Sequence, residues 1–391
     1  MSLYVVLLAA LLGTVSAAPP VDERARLLAE IRAAASKAEA AGDSAGAVAA
    51  LERGLKIDPN WKFGLLKAGR LLYQTEQYAA ARSYLTRLTQ VDNSLATAWA
   101  LLGMCEFQLG DYRAVIEHID RADRLGIPEQ SGFRGSAGIN MGLAYVELGD
   151  YEAAIELLNK LVPSKEPRKR EQITTAFGYA SMHLSLKATL SSEEAAVLHR
   201  LGEAYYLSAA GDRRGARAVL ADLIKQYPKA TALHFVYANL LMYWSDFEAA
   251  NLEFRAELAN DPESYPARLG LAYVAVHGEE APESLRWATE AAQMRPDLYQ
   301  SHFYLGQLLL RHDQAKEACA ELEAACRLAP AQSGVRYWLA KAYRALGRIA
   351  DAERELKEFE RLKALEEPGK TAHTVPGSAD AAATAVTPAP R

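Results

Sequence analysis

Residues 299–332 read YQSHFYLGQLLLRHDQAKEACAELEAACRLAPAQ, and the spacing of their apolar and small residues decides the fold. Pro330 ends the apolar part of this stretch, and Pro228, Pro262 and Pro296 precede it at a constant interval of 34 residues. A period of that length marks stacked structural units. With each proline taken as position 32, the units begin at Thr231, Tyr265, Tyr299 and Ser333. Small residues then recur at position 8 (Ala238, Ala272, Gly306, Ala340) and at position 20 (Ala250, Ser284, Ala318, Ala352). Only a small side chain lets two helices approach to the short end of the usual interaxial distance of about 8–10 Å. Positions 4, 7, 11, 24 and 27 are expected to be mostly apolar or aromatic, as at Leu305, Leu309, Leu322 and Ala325. This spacing lays one apolar stripe on each of two helices. A turn such as Leu346-Gly347-Arg348 separates them, and the proline stops the second. Such a pair cannot bury its own stripes and must stack on its neighbours.

The same register reaches back through the chain. Trp99, Leu102-Gly103 and Gly110-Asp111-Tyr112 carry it, as do Met141-Gly142, Tyr145, Gly149-Asp150-Tyr151 with Ala154, and Leu201-Gly202 with Tyr205. On these residues the chain resembles the tetratricopeptide repeat family over most of residues 28–364. The resemblance implies an all-α fold, a right-handed α-α superhelix or solenoid of about nine helix pairs.

Read in order, the chain opens with an apolar run from Leu3 to Leu12 and with Val15 and Ala17, the small residues signal peptidase requires. Residues 1–17 are therefore expected to be a cleaved export signal. An uncleaved tether to the inner membrane is the alternative, since the segment lacks Lys and Arg before the apolar run. Residues 22–162 are expected to hold an array of four repeats. Val162-Pro163-Ser164-Lys165-Glu166-Pro167 interrupts the helical pattern, and residues 163–194 read as a joint with one extra helix carrying Ile173, Ala176, Phe177 and Ala180. Ser191 and Glu194 have capping-box spacing and open a second array of five repeats over residues 195–364. Residues 365–391, rich in Pro, Ala and Thr, lack the apolar content for a core and are expected to be disordered.

A net charge of −5 over 391 residues argues against a general nucleic-acid binder. The basic cluster Arg168-Lys169-Arg170 is short and flanked by Glu166 and Glu171, which suits a solvated loop. Cys319 and Cys326 stand seven apart on one expected helix, too far along its axis for a disulfide, so with Cys105 they are expected to be buried thiols. The sequence contains no phosphate-binding Gly-rich loop, His-Glu-x-x-His, Cys-x-x-Cys or Gly-x-Ser-x-Gly. His199 and Glu203, four apart, suit a solvated pair on a helix better than a metal site. No catalytic, cofactor or metal role is expected for any residue.

The resemblance implies that the first helix of each unit lines a concave face, through positions 2, 5, 9, 12 and 13, where extended peptides or partner helices lie. In the second array those positions supply Phe235, Asn239, Tyr273, Phe303, Gln307, Arg311, Tyr337, Lys341 and Arg344. Rings offer rigid contact area, and amides can hydrogen-bond a peptide backbone. The residues that grip a C-terminal carboxylate in one subtype of the family are missing, since position 5 of the unit with Asn239 is Phe235. The expectation is a non-enzymatic scaffold, exported to the cell envelope, that binds a protein or peptide partner. The alternative is an accessory subunit of an envelope enzyme or export complex.

Overall fold

The computed structural model describes residues 21–128, 132–162, 167–230 and 232–365. The expected export signal, residues 163–166 of that break and the tail after Leu365 lie outside the described residues. The described chain is all helix and forms two compact units, with the boundary after Ala144 inside a helix. The first unit holds α1 (Val21–Ala40), α2 (Ser44–Ile57), α3 (Lys62–Gln74), α4 (Tyr78–Val91), α5 (Ala96–Leu109), α6 (Tyr112–Leu125) and most of α7 (Phe133–Glu147). In the second, α8 (Tyr151–Leu161), α9 (Pro167–Ser181), α10 (Ser192–Ala209) and α11 (Arg213–Gln226) come first. They are followed by α12 (Leu233–Tyr243), α13 (Phe247–Asn260), α14 (Tyr265–His277) and α15 (Ser284–Met294). The last four are α16 (Tyr299–Arg311), α17 (Ala315–Leu328), α18 (Ser333–Ala345) and α19 (Ile349–Leu365). No helix among the described residues is long and apolar enough to cross a membrane.

Four pairs are folded back by a short turn with a recurring chemistry. Gly42, Gly110, Gly149 and Gly211 take positive φ, and the next residue in each case is an aspartate that caps the second helix. Asp43 accepts from Gly46 N at 2.7 Å and Asp212 from Gly215 N at 2.8 Å. The aspartate fills an otherwise unpaired donor at the helix N-terminus and places its charge at the positive end of the dipole.

Pairs are held close where the sequence places a small residue. A Cβ on Gly306 would lie 2.6 Å from Leu322 Cγ, and one on Gly103 would lie 2.6 Å from Ile119 Cγ1. Around those contacts the stripes merge into continuous cores, one joining Leu269, Ala272, Leu305 and Leu308 to Ala318, the next joining Leu322, Leu339 and Ala340 to Ala352. Within the second unit α12, α14, α16 and α18 also touch one another in succession, whereas α13, α15, α17 and α19 make no comparable contact. Helices that are closer together lie on the inside of a curve. The first helix of each pair therefore forms the concave wall of this unit.

Position 4 departs from the apolar expectation in the last four pairs. It is occupied by His234, Arg268, His302 and Arg336, each paired with a glutamate of the following helix: Glu253 at 2.7 Å, Glu290 at 2.7 Å, Glu321 at 2.6 Å and Glu355 at 2.9 Å. Trp99 keeps the aromatic character at this position in α5, where its ring lies 5.2 Å from that of His118.

The segment expected as a joint lies inside the second unit. Its helix, α9, has no partner in the 34-residue period, yet it docks fully on α10: Ile173, Ala176, Phe177 and Ala180 are all buried. A Cβ on Gly202 would lie 1.9 Å from the Thr174 carbonyl oxygen, and one on Gly178 would lie 2.4 Å from that of Leu198, so here backbone meets backbone. Arg170, read as part of a solvated cluster, lies 4.9 Å over the Tyr206 ring. The Ser191–Glu194 capping box forms as its spacing predicts, with bonds of 3.2 and 2.7 Å. Past the end of α9, His183 stacks on Tyr151 with ring centroids 4.4 Å apart, and Tyr151 Oη donates to the His183 carbonyl at 3.1 Å.

Two outcomes follow. Gly202→Ala should destabilise the second unit by about 1–3 kcal/mol or more, because a backbone carbonyl cannot rotate away, whereas Gly334→Ala, whose Cβ would meet nothing nearer than 3.8 Å, should leave thermal unfolding unchanged or raised. Burial pushes the His183 imidazole down to about 4 from 6.5. The folded state then binds fewer protons than the unfolded one, so the stability that neutral His183 contributes is lost as pH falls from 6.5 through 4. His183→Asn, which suits the positive φ of 52° at this site, should lose less stability than the native chain across that window in pH-dependent unfolding.

Candidate functional site

Position 9 of the four last inner helices runs along the concave wall as Asn239 (α12), Tyr273 (α14), Gln307 (α16) and Lys341 (α18). These side chains are held in different ways. Asn239 Oδ1 is buried and has no hydrogen-bond partner. The Gln307 residue is 3% exposed, and its side-chain amide makes no hydrogen bond among the described residues. Polar groups removed from water normally find partners, and an unmet one costs about 1–3 kcal/mol. Between the two amides, Tyr273 stacks on His277 at 4.0 Å and meets the edge of Tyr304 at 5.6 Å. Burial pushes its phenol upward, so the ring stays neutral.

At the end of the wall, Lys341 Nζ lies 4.2 Å from the Trp338 ring centroid and 5.5 Å from that of Tyr337. Tyr337 is 39% exposed and Arg344 is exposed. No carboxylate ion pair engages Lys341 or Arg344 among the described residues, whereas Arg336 pairs with Glu355 and Arg348 with Asp351.

Three of the expected contact residues serve the fold. Phe235 is 6% exposed with its ring 6.0 Å from Phe254, and its backbone N donates to the buried Glu257 carboxylate at 3.1 Å. Phe303 is half-buried in the seam between two core clusters. Arg311 closes the end of α14, its guanidinium donating to the carbonyls of Ala275, at 2.6 Å, and of Val276. The spacing of Arg311 in its own helix gives no sign of this use, because its acceptors lie more than thirty residues earlier. Trp338, the better platform for Lys341, falls outside the five groove positions and was not singled out by spacing.

The remaining candidates have ordinary environments. Glu203 pairs with Arg200 at 3.1 Å, and His199 is exposed. All three cysteines are free and buried. Burial pushes the Cys105 thiol up to about 12 and that of Cys319 up to about 11, away from the range of a reactive thiolate.

Three families, each described as a tetratricopeptide repeat, match the chain: one at residues 66–128 and 238–299, one at 196–230 and one at 139–162. No curated relative matches the sequence. Among solved structures, a crystal structure of MamA protein is 22% identical, covering 52% of this chain and 94% of its own at a TM-score of 0.36. Yeast Tom70 is 9% identical, with 87% and 85% covered and a TM-score of 0.36. A repeat protein from Parabacteroides merdae is 13% identical, with 81% and 99% covered and a TM-score of 0.33.

If Arg311 acts as a clamp on α14, Arg311→Ala should lower stability by about 1 kcal/mol or more and leave partner capture by the folded protein intact. Thermal unfolding together with a binding assay at low temperature separates the two effects.

Proposed function

The chain is a tetratricopeptide-repeat protein, and from that premise we propose that it is a non-enzymatic scaffold holding an extended peptide or helix of a partner protein against the concave wall of its second unit. Such a fold supports protein interaction; the place of binding is inferred from one observation. Asn239 keeps a buried carbonyl oxygen without a partner on the inner face, and Gln307 keeps an unpaired amide at the same position two units on. A bound backbone carries both N–H and C=O groups and could satisfy both amides, while Tyr273 between them supplies apolar contact area. Lys341 and Arg344 place unpaired positive charge at one end of the wall. Export to the envelope is part of this reading and rests on the run Leu3 to Leu12 with Val15 and Ala17. N-terminal sequencing of the protein purified from its native host should begin at Ala18.

Removing the amides at constant shape tests the proposal. Asn239→Leu should leave stability equal or raise it by about 1 kcal/mol, because an unmet polar group disappears, and Gln307→Met, which keeps the volume of the side chain, should leave it little changed. The same changes should weaken capture of the native partner from an envelope extract by tenfold or more for the pair, at roughly 1.4 kcal/mol per tenfold. Undiminished capture by a folded double variant would place binding elsewhere.

A further inference from the structure

His302 stands at position 4 of α16, and both of its ring nitrogens face acceptors. Nδ1 lies 2.6 Å from Glu321 Oε2 on α17, and Nε2 lies 3.1 Å from the carbonyl oxygen of Pro296 in the turn after α15. A neutral imidazole has one donor and one acceptor, so it can satisfy only one of these; the doubly protonated ring satisfies both. The next unit shows what that arrangement does when the charge is permanent. Arg336, at the same position, donates to Glu355 at 2.9 Å and to the Pro330 carbonyl at 3.1 Å. Pro330 is the counterpart of Pro296, and Glu355 of Glu321, one 34-residue period on. A cation at position 4 thus ties the end of the preceding unit to the second helix of its own. His234, at the same position in α12, holds only the first half of the arrangement: Nδ1 meets Glu253 at 2.7 Å, while the carbonyl of Pro228 accepts from Asn260 Nδ2 at 3.0 Å.

We propose that His302 is a titratable clasp between the third-last and second-last helix pairs: the imidazolium joins the Pro296 turn to α17, and loss of its proton releases one of the two ties. The groups that face it fit this role. From α17 come Glu321, which favours the charged ring, and more weakly Arg327, which opposes it. The turn contributes the Pro296 carbonyl, and Arg295 and Asp297 in that turn pair with each other at 2.8 Å. The bond to Glu321 is the main cause that raises the imidazole above its ordinary 6.5, and burial pulls the other way. A folded-state value above the unfolded one means that the clasp is at full strength below 6.5 and is lost as pH rises through the folded value. The direction is opposite to that of His183, so the two act over separate ranges. Because α16 also carries Phe303 and Gln307, acid would firm the helix that supplies the middle of the concave wall.

The test compares the native full-length chain with His302→Arg and His302→Gln at about pH 5.5 and about pH 8.5. The native chain should match His302→Arg in unfolding midpoint at the lower pH and fall behind it by roughly 2–4 °C at the higher. His302→Gln should show the weaker midpoint at both. Parallel behaviour of the native chain and His302→Arg across the range would overturn the proposal. Nitrogen-labelled histidine NMR on the native chain gives a reading that does not depend on a variant folding. The His302 ring should carry two N–H protons at pH 6.5 and titrate above that value, and a midpoint at or below it would also overturn the proposal.

Discussion

The spacing of the helices in this protein is set at one residue per pair. At Gly69, Gly103 and Gly306 a Cβ would fall within 2.7 Å of a leucine or isoleucine side chain on the facing helix, so each pair closes until backbone and side chain touch and no further. Once that distance is fixed, the apolar stripes have one way to be covered, which is by the next pair. Cores therefore run on from pair to pair. The inner helices, brought into contact with one another, define the concave side. The wall and the residues on it are consequences of how little room there is at position 8.

That wall is not built for stability alone. A core made only to last would carry an apolar residue where Asn239 stands, since its side-chain oxygen loses water without gaining a protein partner. The last helix pair shows a contrasting habit at Arg336, Arg348 and Arg354, which all reach carboxylates. The stacked pair Tyr273 and His277 and the aromatic bed under Lys341 give the wall rigid surfaces that lose little freedom on contact. Such a surface can be shaped for another chain while the helices beneath it stay where the small residues put them.

Much of this was readable from the sequence, because a repeat states each structural requirement several times. The period, the small residues, the Gly-Asp turns and the Ser191–Glu194 box all act locally or at a fixed offset, and the helices follow them. What was not readable depends on partners at offsets the period does not advertise. Arg268 and His302 break the apolar expectation at position 4, and the reason shows only when Glu290 and Glu321, on the neighbouring helix, are seen opposite them. Arg311 looks like a groove cation until the carbonyls of Ala275 and Val276 appear at its tips. The helix at Pro167–Ser181 has no counterpart in the period, so only three-dimensional contact shows that Gly178 and Gly202 let it dock as an extra helix against α10.

That docking has a mechanical side. Most seams in the second unit are made by side chains, which can change rotamer and let neighbouring pairs rock slightly. The seam at Gly178 and Gly202 sets one main chain against another, with carbonyl oxygens where side chains would be. Such a contact has no rotamers to change. Under an applied load on the second unit, a seam of this kind would yield less than one made by side chains, because main chain cannot change rotamer.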